Sequence, residues 1–249
     1  MTIEPSGNDG IPTFSRRRVL GTGLAGALAL ATTACSPTTG RGAASPASRT
    51  DPPSSPPPDP ATVHANELGL VPILMHHRIV EQVDSEFDMT PAYFRAELQR
   101  LYRENYHPVR TLDLVRRTFT VPAGKTPVVL TFDDGSPGQF GYRPDGTINP
   151  ECGVGILLDF HAAHRDFPAV ASFYINRDPF GTTTAQDAAR ALADLHTRGF
   201  EIGNHTYDHA NLSTLSAEQV QAEFARLAQL VTAAVPGLNP HTMALLCYA

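Results

Sequence analysis

At 249 residues the chain has room for one domain with extensions, or for two small domains. Its formal net charge of -6, with no long basic run, argues against nucleic acid as a partner. Three cysteines, Cys35, Cys152 and Cys247, make an odd count that does not describe a disulfide framework.

The first segment reads as an address. Ser15 to Leu20 is S-R-R-R-V-L, and it opens an uncharged stretch of 16 residues, Val19 to Ala34. That is short of the roughly 20 apolar residues a membrane-spanning helix needs. A basic flank, a short apolar core and small residues at its end make an export signal. Arg16 and Arg17 before Val19-Leu20 resemble a twin-arginine signal, which a receptor reads and which is not itself an anchor. Cys35 follows Ala-Thr-Thr-Ala, similar to the small-residue run before a lipidated cysteine, with Thr32 where leucine is usual. Residues 1–35 are therefore expected to export the chain. A lipid on Cys35 would hold it at the outer face of the cytoplasmic membrane. Residues 36–62 are rich in Ser, Pro, Ala, Thr and Gly; they cannot bury a core and read as a semi-extended linker. The folded domain is expected over residues 63–249.

Within it, Val71 to Met75 is a short apolar run that reads as a strand. Thr90-Pro91 opens a helix, since Thr caps and Pro suits the first helical position. Phe94, Leu98, Leu101 and Tyr102 follow on one face of it. Pro127 to Phe132 is apolar and β-branched, as in a strand buried on both faces. Ala171 to Ile175 and Phe200 to Gly203 are two more strands. Between those two lies a helix over Asp187 to Thr197, stopped by Gly199. Ser216 and Gln219 form a capping box for a last helix, with Val220, Phe224, Leu227 and Val231 as its apolar stripe and Pro236-Gly237 at its end. Strands alternating with helices predict a parallel α/β architecture, either a barrel or a doubly wound open sheet. In both, functional groups collect at the C-terminal ends of strands.

Two motifs stand at such ends. Thr131-Phe-Asp-Asp-Gly135 follows the buried strand directly. Two carboxylates there are costly unless paired or bound to a cation. Neighbouring side chains of a strand point to opposite faces, but a turn at Gly135 lets both line one pocket, one on a metal and one free as a base. An ordinary Asp-Asp-Gly turn is the competing reading. His205-Thr-Tyr-Asp-His209 follows the Phe200 strand, and histidines four apart share a face of a helical turn. Two imidazoles and a carboxylate suit zinc, with water in the open position.

The two motifs together resemble those of the NodB-type polysaccharide deacetylases, carbohydrate esterase family 4. Pro72 to His77 is similar to the family's opening strand, Ala171 to Asn176 to a later core strand, and Gly199 to His205 to the approach to the second motif. The resemblance covers about Val71 to Leu230, with an insertion at about 136–167. It implies a distorted (β/α) barrel, here partial, and an N-acetylated polysaccharide as substrate. It also implies Asp133 as general base and Asp134, His205 and His209 as ligands of a divalent metal, zinc above all. The family's later segments (Arg-rich Pro-Tyr, Asp-Trp and Leu-x-His) have no counterpart, and the chain contains no tryptophan. Thr242 to Ala249 looks like the start of the third segment, so the domain is expected to be incomplete at its C-terminus. A non-catalytic glycan- or metal-binding remnant, or a fragment without function, are the alternative readings. Cys152 is expected in a Gly/Pro-rich loop near the pocket mouth, His161 and His164 on a helix of the insertion as solvated histidines, and His77 at the cleft or in a structural role.

Overall fold

The structure, a computed structural model, describes residues 58–66 and 69–245. The export signal with Arg16, Arg17 and Cys35, the linker up to residue 57, and Cys247 lie outside the described residues. The end of the linker, residues 60–64, forms a turn.

The central element is the strand β5, Thr126–Phe132, whose Val128, Val129, Leu130 and Phe132 are fully buried. Its second half pairs with β1, Ile73–His76, and its first half with β4, Tyr106–Val109. Thr131 and Phe132 also pair with β6, Ser172–Ile175, which in turn pairs with β7, Glu201–Asn204. All these pairings are parallel. Beyond β7, Met243 bridges Asn204, with the Asn204 N–H donating to Thr242 O and the Ala244 N–H to Asn204 O. The last described residues thus extend the sheet by one short rung. Two further strands, β2 (Arg78–Ile79) and β3 (Asp88–Met89), pair beside this sheet.

Helices make the crossovers that parallel pairing demands. They are α1 (Pro91–Arg103), α2 (Thr111–Arg116), α3 (Gly153–Ala163), α4 (Ala185–Thr197) and α5 (Ala217–Ala234). Thr90 caps α1 by accepting from the Tyr93 N–H, and Ser216 with Gln219 makes the expected reciprocal box on α5. The helix expected from Asp187 begins two residues earlier, capped by Thr184. Helix α1 packs on α3 and β4, and α4 on α5 and β7. The core between sheet and helices is strongly aromatic: Phe132 stacks on Phe173 (centroids 4.8 Å apart, planes 9° apart) and meets Phe94 edge-on.

The α/β class and parallel sheet are as expected. Among the described residues no pairing closes the sheet into a barrel, and its outer strands carry exposed Ile73 and Met75 on one side and Met243 and Leu245 on the other. The expected insertion, residues 136–167, packs into the fold. Gln139, Phe140, Cys152 and the first half of α3 are buried in it. Cys152 is a buried N-cap of α3 rather than part of a pocket mouth, its sulfur accepting from the Gly155 N–H. His161, on α3, is half-buried and bound through Nδ1 to Phe167 O, and His164 lies against Tyr102. Among the described residues no helix is long and apolar enough to cross a membrane.

Candidate active site

The end of β5 builds half of the site. Asp133 follows the strand and its N–H donates to His76 O at 2.9 Å, continuing the ladder with β1. At Asp134 the backbone turns to φ 72, and Gly135 follows at φ 63. This left-handed step turns Asp134 back, so that both carboxylates line one cleft. Buried Gln139 clamps the turn: its Nε2 donates to the carbonyls of Asp133 and His77, and Ser136 Oγ also donates to His77 O.

The end of β7 builds the other half. The His205 N–H still donates to Ile175 O of β6. Residues 205–209 form no helical turn, contrary to the expectation from their spacing. Left-handed residues at Thr206 (φ 66) and His209 (φ 53) bring the two rings together instead, with centroids 5.1 Å apart. The loop is fixed from outside. Glu223 of α5 accepts from the Asp208 N–H, Arg177 and Arg226 hold the Asp208 carboxylate, and the Arg226 guanidinium lies 3.8 Å from the Tyr207 ring centroid.

Asp134 Oδ1 lies 3.2 Å from His205 Nε2 and 3.0 Å from His209 Nε2. All three candidate ligand atoms are within 4.8 Å of one another. His205 Nδ1 is 3.1 Å from Ala244 O, and a carbonyl can only accept, so the ring proton sits on Nδ1. In the neutral ring Nε2 then turns a lone pair toward the Asp134 carboxylate. Such an arrangement calls for a cation between them, either a proton or a metal. A tetrahedral ion with bonds of about 2.05 Å would hold its ligand atoms about 3.3 Å apart, close to the two separations from Asp134 Oδ1. The donor set therefore fits a divalent metal. Fixing the tautomer of one ligand by a hydrogen bond to its far nitrogen is what metal-binding histidines commonly show.

The two carboxylates are electrostatically distinct. The His205 imidazole beside Asp134 holds its carboxyl below the usual range, against burial. Burial lowers the His205 proton affinity, but Asp134, Asp133 and the hydrogen bond to Ala244 O together more than offset it and the net shift is upward. Asp133 is buried, its Oδ1 has no hydrogen-bond partner, and burial pushes its proton affinity up against the pull of His205 and His77. An unpaired carboxylate with raised proton affinity is suited to taking a proton.

The four residues named from sequence thus meet in one cleft of about 520 Å³, which His77 also lines. Sequence reasoning missed the contribution of Ala244, since a backbone carbonyl leaves no mark in the sequence, and that of Gln139. It also missed the rim formed by Met75, Arg78, Ser85, Phe87 and Leu245, which shows no periodicity to follow.

Comparison with known proteins agrees with the motifs. The family model described as polysaccharide deacetylase matches residues 120–246, just over half of the chain and a stretch that contains all four candidate residues. The chain belongs to the polysaccharide deacetylase family. A protein of Arthroderma benhamiae named "Probable peptidoglycan-N-acetylglucosamine deacetylase" is 30% identical over 119 residues, 48% of this chain and 23% of that protein. A chitin deacetylase of the same organism is 29% identical over 116 residues, 47% of this chain and 26% of the relative. The matches thus span about a quarter of these curated relatives. In fold, the chain is similar to the Streptococcus pyogenes deacetylase PplD, solved in complex with acetate. The TM-score is 0.51 at 19% identity, over 70% of this chain and 72% of that one.

Proposed function

We propose that this chain is a zinc-dependent hydrolase that removes N-acetyl groups from an N-acetylglucosamine-containing polysaccharide, with cell-wall glycan as the nearest substrate. The observation that carries this reading is the pairing of a buried, unpartnered Asp133 with three converging ligand atoms in the same cleft. The relatives' names speak of peptidoglycan and chitin, both polymers of N-acetylated sugars.

Asp134, His205 and His209 hold the ion. When bound, it supplies a water of lowered pKa and polarises the amide carbonyl. Asp133 accepts the proton of the attacking water as the C–O bond forms. Carrying that proton, Asp133 can return it to the nitrogen as the C–N bond breaks, so that the amine and acetic acid leave, ionising in water to ammonium and acetate, and Asp133 is again a carboxylate. Ala244 O keeps His205 in the ligating tautomer throughout. The same reading places the protein outside the cytoplasm, exported by residues 1–35, anchored through a lipid on Cys35 and spaced from the membrane by residues 36–62.

The test separates the two aspartates in the full chain. Asp134→Ala should abolish zinc binding by calorimetry. Asp133→Asn should leave zinc affinity within a few-fold while slowing acetate release from a chito-oligosaccharide by about 10²–10⁴-fold. A wild-type chain that binds zinc yet releases no acetate would leave a binding protein and end the hydrolase reading.

A further inference from the structure

Phe87 is an aromatic side chain with 51% of its surface exposed, on the rim of the cleft that holds Asp133 and the ligand triad. Its ring rests against His77, with centroids 4.9 Å apart and planes tilted by 54°. An aromatic ring left facing water beside a reactive centre loses the burial that a ligand would restore.

The segment that presents it is tightly held. Asp88, the next residue, has a side chain only 1% exposed. Its carboxylate accepts from Arg78 Nε (2.5 Å) and Nη2 (2.8 Å), and from the N–H groups of Asp84 (2.9 Å) and Ser85 (3.1 Å). Four donors on one carboxylate, together with the β2–β3 pairing, fix the position of Phe87 before any ligand arrives. None of these residues lies in the stretch 120–246 that the family model matches.

The chemistry of the rim suits a sugar. A pyranose chair has a flat face of C–H groups and a rim of hydroxyls. The Phe87 ring offers the apolar plane. Arg78, whose side chain is 48% exposed although its guanidinium is bound to Asp88, and the Ser85 hydroxyl stand beside it as hydrogen-bonding groups. We infer that Phe87, backed by His77, is a stacking platform for the sugar unit next to the one being hydrolysed, and that it selects oligomers over single sugars. The inference rests on the deacetylase reading of the same cleft.

The chain has no tryptophan, so Phe87→Trp places a single tryptophan at the platform, excited selectively over the tyrosines. Combined with Asp133→Asn to suppress turnover, it should show a saturable change in emission with chitotetraose and little change with monomeric N-acetylglucosamine. In the otherwise unaltered chain, Phe87→Ala should raise KM for the tetramer about tenfold with kcat within about twofold. Val83→Ala, 54% exposed on the same segment but off the cleft, should change neither. Acetate release with an unchanged KM in Phe87→Ala would overturn the platform and leave the deacetylase reading standing. A saturable emission change in a protein whose wild type releases no acetate would keep the platform and remove the deacetylase. No emission response at millimolar tetramer would overturn the platform.

Discussion

Gly203 offers a direct test of how the sheet supports the site. It lies on β7 opposite Tyr174 of β6, and a Cβ built there falls 2.4 Å and 2.5 Å from ring carbons of Tyr174 and 3.1 Å from Thr242 Oγ1. Ordinary carbon contacts are about 3.5–4.0 Å, so Gly203→Ala requires the ring to move by about 1 Å. Tyr174 is 3% exposed and has little room to swing away. Overpacking of this kind costs about 2 kcal/mol, or roughly 4–8 °C in Tm for a domain of this size. The Thr242 segment is the other neighbour that can yield, and Ala244 at its end holds the His205 tautomer. Zinc affinity should therefore fall by roughly 10–100-fold, as for loss of a ligand's outer hydrogen bond. Thermal melts with and without zinc, beside zinc calorimetry, measure both effects. A melting curve and zinc affinity equal to wild type would refute the link from β7 packing to ligand orientation.

Two further outcomes are expected. The Tyr142 hydroxyl donates to Asp194 at 3.0 Å, and burial, then that hydrogen bond and charge, push the phenol up to about 12. A phenol raised from about 10 stabilises the fold in full below pH 10, and the contribution is lost as pH climbs toward 12. Solvent screening at this partly exposed position reduces it from about 2.7 to the order of 1 kcal/mol. Tyr142→Phe should therefore flatten the fall in Tm between pH 9.5 and 11.5, and parallel curves would count against the shift. If Cys35 is lipidated, Cys35→Ser should move the exported protein from the membrane fraction to the soluble one; equal membrane retention would exclude that anchor.

The elements legible in the sequence are those with local causes. Strand β5 is a continuous apolar run, and helices α1 and α5 announce themselves through the caps at Thr90 and Ser216. Strand β4 was hidden because His107 and Pro108 interrupt its pattern, yet it pairs along the first half of β5. The helix expected around His161 is α3, and its start was hidden by Gly153 and Gly155 in its first turn. Gly155 is there for space, since a Cβ would lie 2.1 Å from Asn149 O. The four candidate site residues could be named because their chemistry is unusual at strand ends. The turn that joins the two histidines could not, because spacing alone does not distinguish a helical turn from a loop with left-handed residues.

That loop and the turn after β5 share one physical device. Asp134, Gly135, Thr206 and His209 all have positive φ, and three of them are not glycine. Such residues cost of order 1–3 kcal/mol each and persist only where the surroundings hold them. Here the holders are identifiable: Gln139 on the first turn, and Glu223 and the Asp208 ion pairs on the second. Had the chain continued as a strand past Phe132, Asp133 and Asp134 would face opposite sides of the sheet, and one carboxylate would be lost to the cleft. The left-handed step at Asp134 instead puts a buried carboxylate and an ion-paired one side by side. Their proton affinities move apart, up for Asp133 and down for Asp134, and that divergence fits the proposed roles, proton transfer for the one and the ion for the other.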